Sequence, residues 1–217
     1  MINALVTNNW ITILFIFLFG LLVIANSFFE KRFLKFKTLF HTKQYFVDYL
    51  SITTVSHPFN IIFLIFQISC YAYLSLKIIE YFNESMLKNQ FLYFLKIAFV
   101  IFVFYLIRYS IGKIIALFFN IKKEQEELSF VKLTHLAKVT LIAFPFLIVF
   151  TYLDFRNGFL FIVLAIYLAL LLLIKYIILL RQNQKLIFNK LFYFILYLCT
   201  LEILPLILVY KTLVVKV

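Results

Sequence analysis

Six apolar stretches, each near the length of a helical bilayer crossing, divide this chain from end to end and restrict what it can fold into. A hydrocarbon core of about 30 Å needs about 20 mostly apolar residues in an α-helix. Residues 10–29, 59–79, 91–110, 136–153, 158–180 and 191–210 answer that description. The fourth is short, and reaches full length if its helix begins near Ser129 with Lys132 extended to the interface. Lipid offers the backbone no hydrogen-bond partners, so such segments must satisfy themselves as helices. The expected fold is all-α: a polytopic bundle of about six spanning helices, forming a single integral membrane domain over residues 1–217. Composition leaves no room for a water-facing globule, with 65% of residues hydrophobic and 14% charged. Three glycines and three prolines are too few to punctuate a many-stranded β fold.

The charges orient the bundle. The first apolar stretch is followed, not preceded, by a basic cluster of Lys31, Arg32, Lys35 and Lys37, which marks a retained anchor instead of a cleaved leader. Basic residues then recur in alternate connections: Lys122, Lys123, Lys132 and Lys138 before or within the head of the fourth span, and Arg181, Lys185 and Lys190 between the fifth and sixth. The opposite side holds Lys88 and Arg156 in its loops, with Lys211 and Lys216 at the tail. Positive charge accumulates on the cytoplasmic side of membranes, so both termini are expected outside, in the periplasm of a bacterial inner membrane. The net charge of +12 lies beside apolar segments, which makes anionic phospholipid headgroups the expected partner and argues against nucleic acid. Within the basic segment 31–50, Phe33, Phe36 and Phe40 recur at helical spacing and Tyr45, Phe46, Tyr49 and Leu50 continue the apolar face. That pattern predicts a cytoplasmic amphipathic helix in the headgroup plane, with Lys31, Arg32, Lys35 and Lys37 anchoring it on phosphates. It is also a candidate docking surface for other membrane proteins. The charged run IKKEQEEL after Asn120 reads as a solvated loop.

Ionisable residues inside spans need a partner or a purpose, because each costs about 2.5 to 3.5 kcal/mol at mid-depth. Lys96 and Glu202 fall at similar depth in the outer half of the bilayer, where an ion pair between the third and sixth spans would offset that cost. Pro205 withholds the amide that would bond to the Leu201 carbonyl, leaving a polar kink beside the carboxylate. With Arg108, these residues form a candidate intramembrane polar site. A structural pair, a proton or cation relay through Glu202, and a protonated Glu202 all remain open readings. His41, His57 and His135 lack the spacing of a metal site, and Ser56 is placed to cap the helix that starts at Pro58. Cys70 and Cys199 lie in apolar segments and read as free buried thiols. No hydrolase, zinc-protease, Walker or dinucleotide motif is present in the sequence, so no catalytic residue and no cofactor is expected.

The run Leu198-Cys199-Thr200-Leu201-Glu202-Ile203-Leu204-Pro205-Leu206, followed by Val209, Tyr210 and Lys211, resembles the closing signature of a Bacteroidota inner-membrane family, domain of unknown function 4271. The segment from Asn26 to Phe33, and Tyr105-Leu106-Ile107-Arg108 with Gly112, resemble the same family. The resemblance implies a bacterial inner-membrane bundle with no attached soluble domain, and implies no activity. On it, Glu202, Pro205 and Arg108 are the matching candidates for an important role. Short loops and the absence of catalytic motifs favour a non-enzymatic subunit or assembly factor of an envelope complex. The alternatives are a small proton- or cation-coupled transporter or channel using Glu202, and a membrane-embedded lipid enzyme with scattered active-site residues.

Overall fold

The structure, a computed structural model, describes residues 9–39, 44–49, 57–82, 89–118 and 122–152. Six α-helices occupy them: α1 (Asn9–Phe28), α2 (Glu30–Lys37), α3 (Gln44–Tyr49), α4 (Pro58–Phe82), α5 (Gln90–Phe118) and α6 (Lys122–Tyr152). Of these, α1, α4, α5 and α6 are long and apolar enough to cross a membrane. They correspond to the expected spans 10–29, 59–79, 91–110 and 136–153. The expected spans 158–180 and 191–210 lie outside the described residues, so the count established here is four.

Neighbouring spans run in alternating directions. At one end, Trp10 from the start of α1 lies against Tyr73 late in α4 and against Phe91 and Phe94 at the start of α5. Tyr152 at the close of α6 joins them there, its hydroxyl 3.4 Å from that of Thr12. At the other end, α2 meets the first turns of α4 through Phe36 on Phe59, and α3 meets the early part of α6 through Tyr45 on Phe130. The two ends differ in chemistry: one is a ring of aromatic side chains suited to a membrane interface, and the other carries the basic segment.

Each half of the bundle has its own apolar core. On α1 the buried residues are Ile11, Phe15, Leu18, Leu21 and Ala25, a stripe spaced by three or four residues that keeps one face inward along the whole helix. Its upper part packs with Phe66, Tyr73, Phe94 and Phe144, and its lower part reaches a second cluster of Phe33, Phe36, Phe59, Phe63 and Phe130. Large residues on the opposite faces, among them Ile13, Phe17, Phe99 and Val100, stay exposed, as they do when the surrounding medium is lipid.

Because lipid is as apolar as leucine, hydrophobicity alone does not hold such helices together, and polar contacts carry part of the specificity. Helices α4 and α6 share three of them at successive depths. Gln67 donates its amide to the Leu133 carbonyl at 3.2 Å, Tyr71 and Thr140 hydroxyls lie 3.2 Å apart, and Tyr73 donates to Thr151 at 2.9 Å. Thr140 and Thr151 pass their own protons back to the carbonyls of Leu136 and Leu147. Cys70 packs buried among the same side chains as a free thiol.

Two expectations need correction. The run expected as a loop, IKKEQEEL, is helical from Lys122 onward, so α6 begins well before residue 136. Lys, Glu, Gln and Leu are strong helix formers, and a helix already started in the membrane extends through them at little cost. The basic segment 31–50 is not one helix: α2 ends at Lys37, and α3 is a separate short helix of six residues. At the start of α4, Pro58 takes the first helical position and the Phe59 amide donates to His57 Nδ1 at 3.2 Å, while Ser56, the expected cap, lies outside the described residues.

Candidate functional site

The most heavily built polar feature among the described residues is a buried arginine at the basic end. Arg32 sits on the first turn of α2, on the same face as Phe36, because residues four apart share a helix face. That face is turned into the bundle, leaving Arg32 only 4% exposed. Burying a guanidinium demands compensation. Its Nε donates to the Tyr45 hydroxyl at 3.2 Å, and Nη2 donates to the Asn60 carbonyl oxygen at 3.4 Å. Four rings surround the cation: Tyr49 and Phe59 at 4.8 and 4.9 Å, Tyr45 and Phe130 at 5.8 and 5.9 Å. The flat, weakly hydrated guanidinium is the cation best suited to such a cage. Through it, one side chain from α2 ties α3, α4 and α6 together.

Neighbouring contacts reinforce the clamp. Lys35 forms an ion pair with Asp48, fastening α2 to α3 along their half-exposed edge. That hydrogen bond to Asp48 raises the Lys35 pKa above its ordinary value. Lys138 of α6 donates to the Lys37 carbonyl at 2.6 Å, closing the C-terminal end of α2, where unsatisfied carbonyls concentrate negative partial charge. Its ammonium also lies 5.7 Å from the Phe36 ring centre. Burial pushes the Tyr45 phenol pKa up, with the Arg32 charge opposing the shift. His57 is shifted the other way: burial, then the charge of Arg32, lowers its pKa below 6.5.

The structure therefore redistributes the proposed headgroup anchors. Lys31 and Lys37 remain exposed, and Lys35 is half-buried beside Asp48. Arg32 is the buried member of the group. The i, i+4 relation to Phe36 is the sequence signal that marks it as inward.

The intramembrane candidates fare differently. Lys96 is exposed on α5 with its ammonium 5.6 Å from the Tyr93 ring centre. Glu202 and Pro205 lie outside the described residues, so the proposed ion pair with Lys96 does too. Arg108 lines a cavity of about 160 Å³ between α5 and the start of α6, shared with Lys132, Tyr109 and Ser129. Sequence reasoning placed Arg108 with Glu202 and did not connect it to Lys132. His57 and His135 serve different neighbours, Phe29 and Phe46 respectively, and His41 lies outside the described residues. Among the described residues, no three His, Cys, Asp or Glu side chains gather as metal ligands.

These features define a polytopic α-helical membrane protein in which several of the described polar side chains join helices. Residues 11–213 match the family model described as Domain of unknown function (DUF4271), and the chain belongs to that family. No curated protein and no solved structure matches it.

Proposed function

We propose that this chain is a non-enzymatic subunit or assembly factor of an envelope complex in a bacterial inner membrane, with its basic end in the cytoplasm and both termini in the periplasm. The observation that carries the reading is the Arg32 clamp. A loosely attached amphipathic segment would serve adequately as a lipid anchor, whereas this one is fixed to three other helices by a caged cation, an ion pair and a capped helix end. Such fixation presents the outer side of α2, with Glu30, Lys31, Leu34 and Lys37, as an ordered surface at the membrane edge. Ordered surfaces bind partners with less entropic cost than mobile ones. The basic side fits the cytoplasmic bias of Lys and Arg.

The test is isolation of the full chain from its native membrane in mild detergent, followed by mass spectrometry of what accompanies it. Stoichiometric recovery with other envelope proteins, lost on Lys31→Glu with Leu34→Asp, is the expected result. A homogeneous species containing this chain alone, unaffected by those changes, contradicts the proposal. The transporter reading depends on Glu202, and Lys96, its suggested partner, stands on an exposed face of α5.

A further inference from the structure

We infer that the cleft where α1 gives way to α2 is a binding site for one zwitterionic phospholipid carrying a primary ammonium, with that ammonium on Glu30 and the phosphate beside Lys31 and His57. The cleft belongs to this chain alone, so the inference does not rest on the partner reading above.

Two spans end at this cleft. Helix α1 has 20 residues, and at ~1.5 Å per residue its ends stand about 30 Å apart, the thickness of a hydrocarbon core. Phe28, its last residue, therefore marks one boundary of that core. His57 immediately precedes α4, and its ring centre lies 5.4 Å from that of Phe29, which brings the start of α4 to the same level. Between them opens a cleft of about 580 Å³, ample for a phospholipid headgroup.

The lining carries both signs of charge. Glu30 offers a carboxylate, Lys31 an ammonium, and Ser27 and Tyr49 hydroxyls. His57 adds a donor: its Nδ1 accepts the Phe59 amide, so in the neutral ring the proton sits on Nε2. Arg32, although engaged in the clamp, extends its charge to this wall, since after burial it is the cause that lowers the His57 pKa. A simple anion finds donors here and also meets the Glu30 carboxylate, while a simple cation meets the reverse conflict. A headgroup with a phosphate and an ammonium a few bonds apart satisfies both. A primary ammonium brings three N–H donors to a carboxylate, whereas a quaternary one brings none.

Hydrocarbon has its own path from the same place. Phe28 stands at the lip, 77% exposed, and Ile24 and Gly20 continue its row along α1, because residues four apart share a helix face. A Cβ at Gly20 would meet nothing within 4 Å, so the row has a notch in which an acyl chain can lie. A soluble headgroup without chains makes no use of this row, which favours the lipid over the free zwitterion.

The experiment is native mass spectrometry of the full-length protein in mild detergent, titrated separately with phosphatidylethanolamine, phosphatidylcholine, phosphatidylglycerol and soluble phosphoethanolamine. Phosphatidylethanolamine should bind at least about tenfold more tightly than phosphatidylcholine. Glu30→Gln should bring those two lipids to equal affinity, Lys31→Gln should weaken both alike, and Lys96→Gln near the other end of the bundle should leave the preference intact. A phosphatidylethanolamine with a photoreactive group near its glycerol, on the unmodified protein, supplies a readout independent of variant folding, with crosslinks expected within residues 24–31 or at His57. Phosphatidylcholine or phosphatidylglycerol bound as tightly as phosphatidylethanolamine overturns the inference, as does a preference that survives Glu30→Gln. Crosslinks confined to α5 and α6 overturn it too. So does displacement of the lipid by soluble phosphoethanolamine at equal concentration, which makes the site one for the free zwitterion. Lipid preference is read on the purified chain and partner recovery on native membranes, so either reading can fail without the other.

Discussion

A guanidinium surrounded by four aromatic rings is an expensive thing to place inside a membrane protein, and its neighbours show what it achieves. Arg32 reaches hydrogen-bond acceptors on two different helices while stacking on rings from three, a combination that depends on its planar fork. Lysine has the charge without the fork. Arg32→Lys is therefore expected to lower stability by about 2 kcal/mol, the scale of one charged hydrogen bond and part of a desolvated cation–π contact. Thermal melts in detergent measure it, and an unchanged melting temperature counts against the clamp. His57 yields a prediction with a pH sign. Its folded-state pKa lies below the unfolded value, so the unfolded chain binds the extra proton more readily. The stability it contributes is complete above about pH 6.5 and is lost as pH falls through the lower folded pKa. Geometry supplies the reason, since a proton on Nδ1 removes the acceptor for the Phe59 amide. His57→Asn keeps a capping acceptor and should flatten melting temperature against pH between about 5 and 7.

The helices α2 and α3 show where reading the sequence succeeds and where it stops. Periodicity located Phe33 and Phe36 on one face, and that much is correct. It offered no means of deciding whether the face meets lipid or protein, because both are apolar and both accept phenylalanine. The basic residues alongside favoured headgroups, and the i, i+4 relation of Arg32 to Phe36 was the overlooked signal. The spans were readable for the opposite reason: a 20-residue helix in lipid must be apolar almost throughout, so α1, α4 and α5 announce themselves in composition alone. The head of α6 was not readable that way, since KKEQEEL has the polarity of a loop and the propensity of a helix. The cavity pair Arg108 and Lys132 was hidden as well, because depth follows from counting outward from a connection only when both helix ends are known. At this scale the Lys138 contact predicts a measurable change. Lys138→Gln should leave the spans intact and hasten amide exchange at Thr38 and Leu39 several-fold, as the end of α2 loosens. Hydrogen-exchange mass spectrometry resolves that segment, and equal protection in both proteins removes Lys138 from the account.

For the whole molecule, the alternation of helix directions joins the separate observations. Aromatic side chains from α1, α4, α5 and α6 gather at one end, while α2, α3 and the starts of α4 and α6 gather at the other. A chain of this kind presents opposite chemistries to the two sides of a membrane, and the clamp, the cap and the cleft at the close of α1 all belong to the basic side. The central claim is thus that Lys31 and Lys122 share one side of the bilayer and Asn89 occupies the other. Single cysteines at these positions, in a background with Cys70 and Cys199 replaced by serine, test it with an impermeant maleimide on intact spheroplasts. The account predicts labelling at position 89 before lysis and at 31 and 122 only after it; labelling of 31 and 89 from the same side contradicts it.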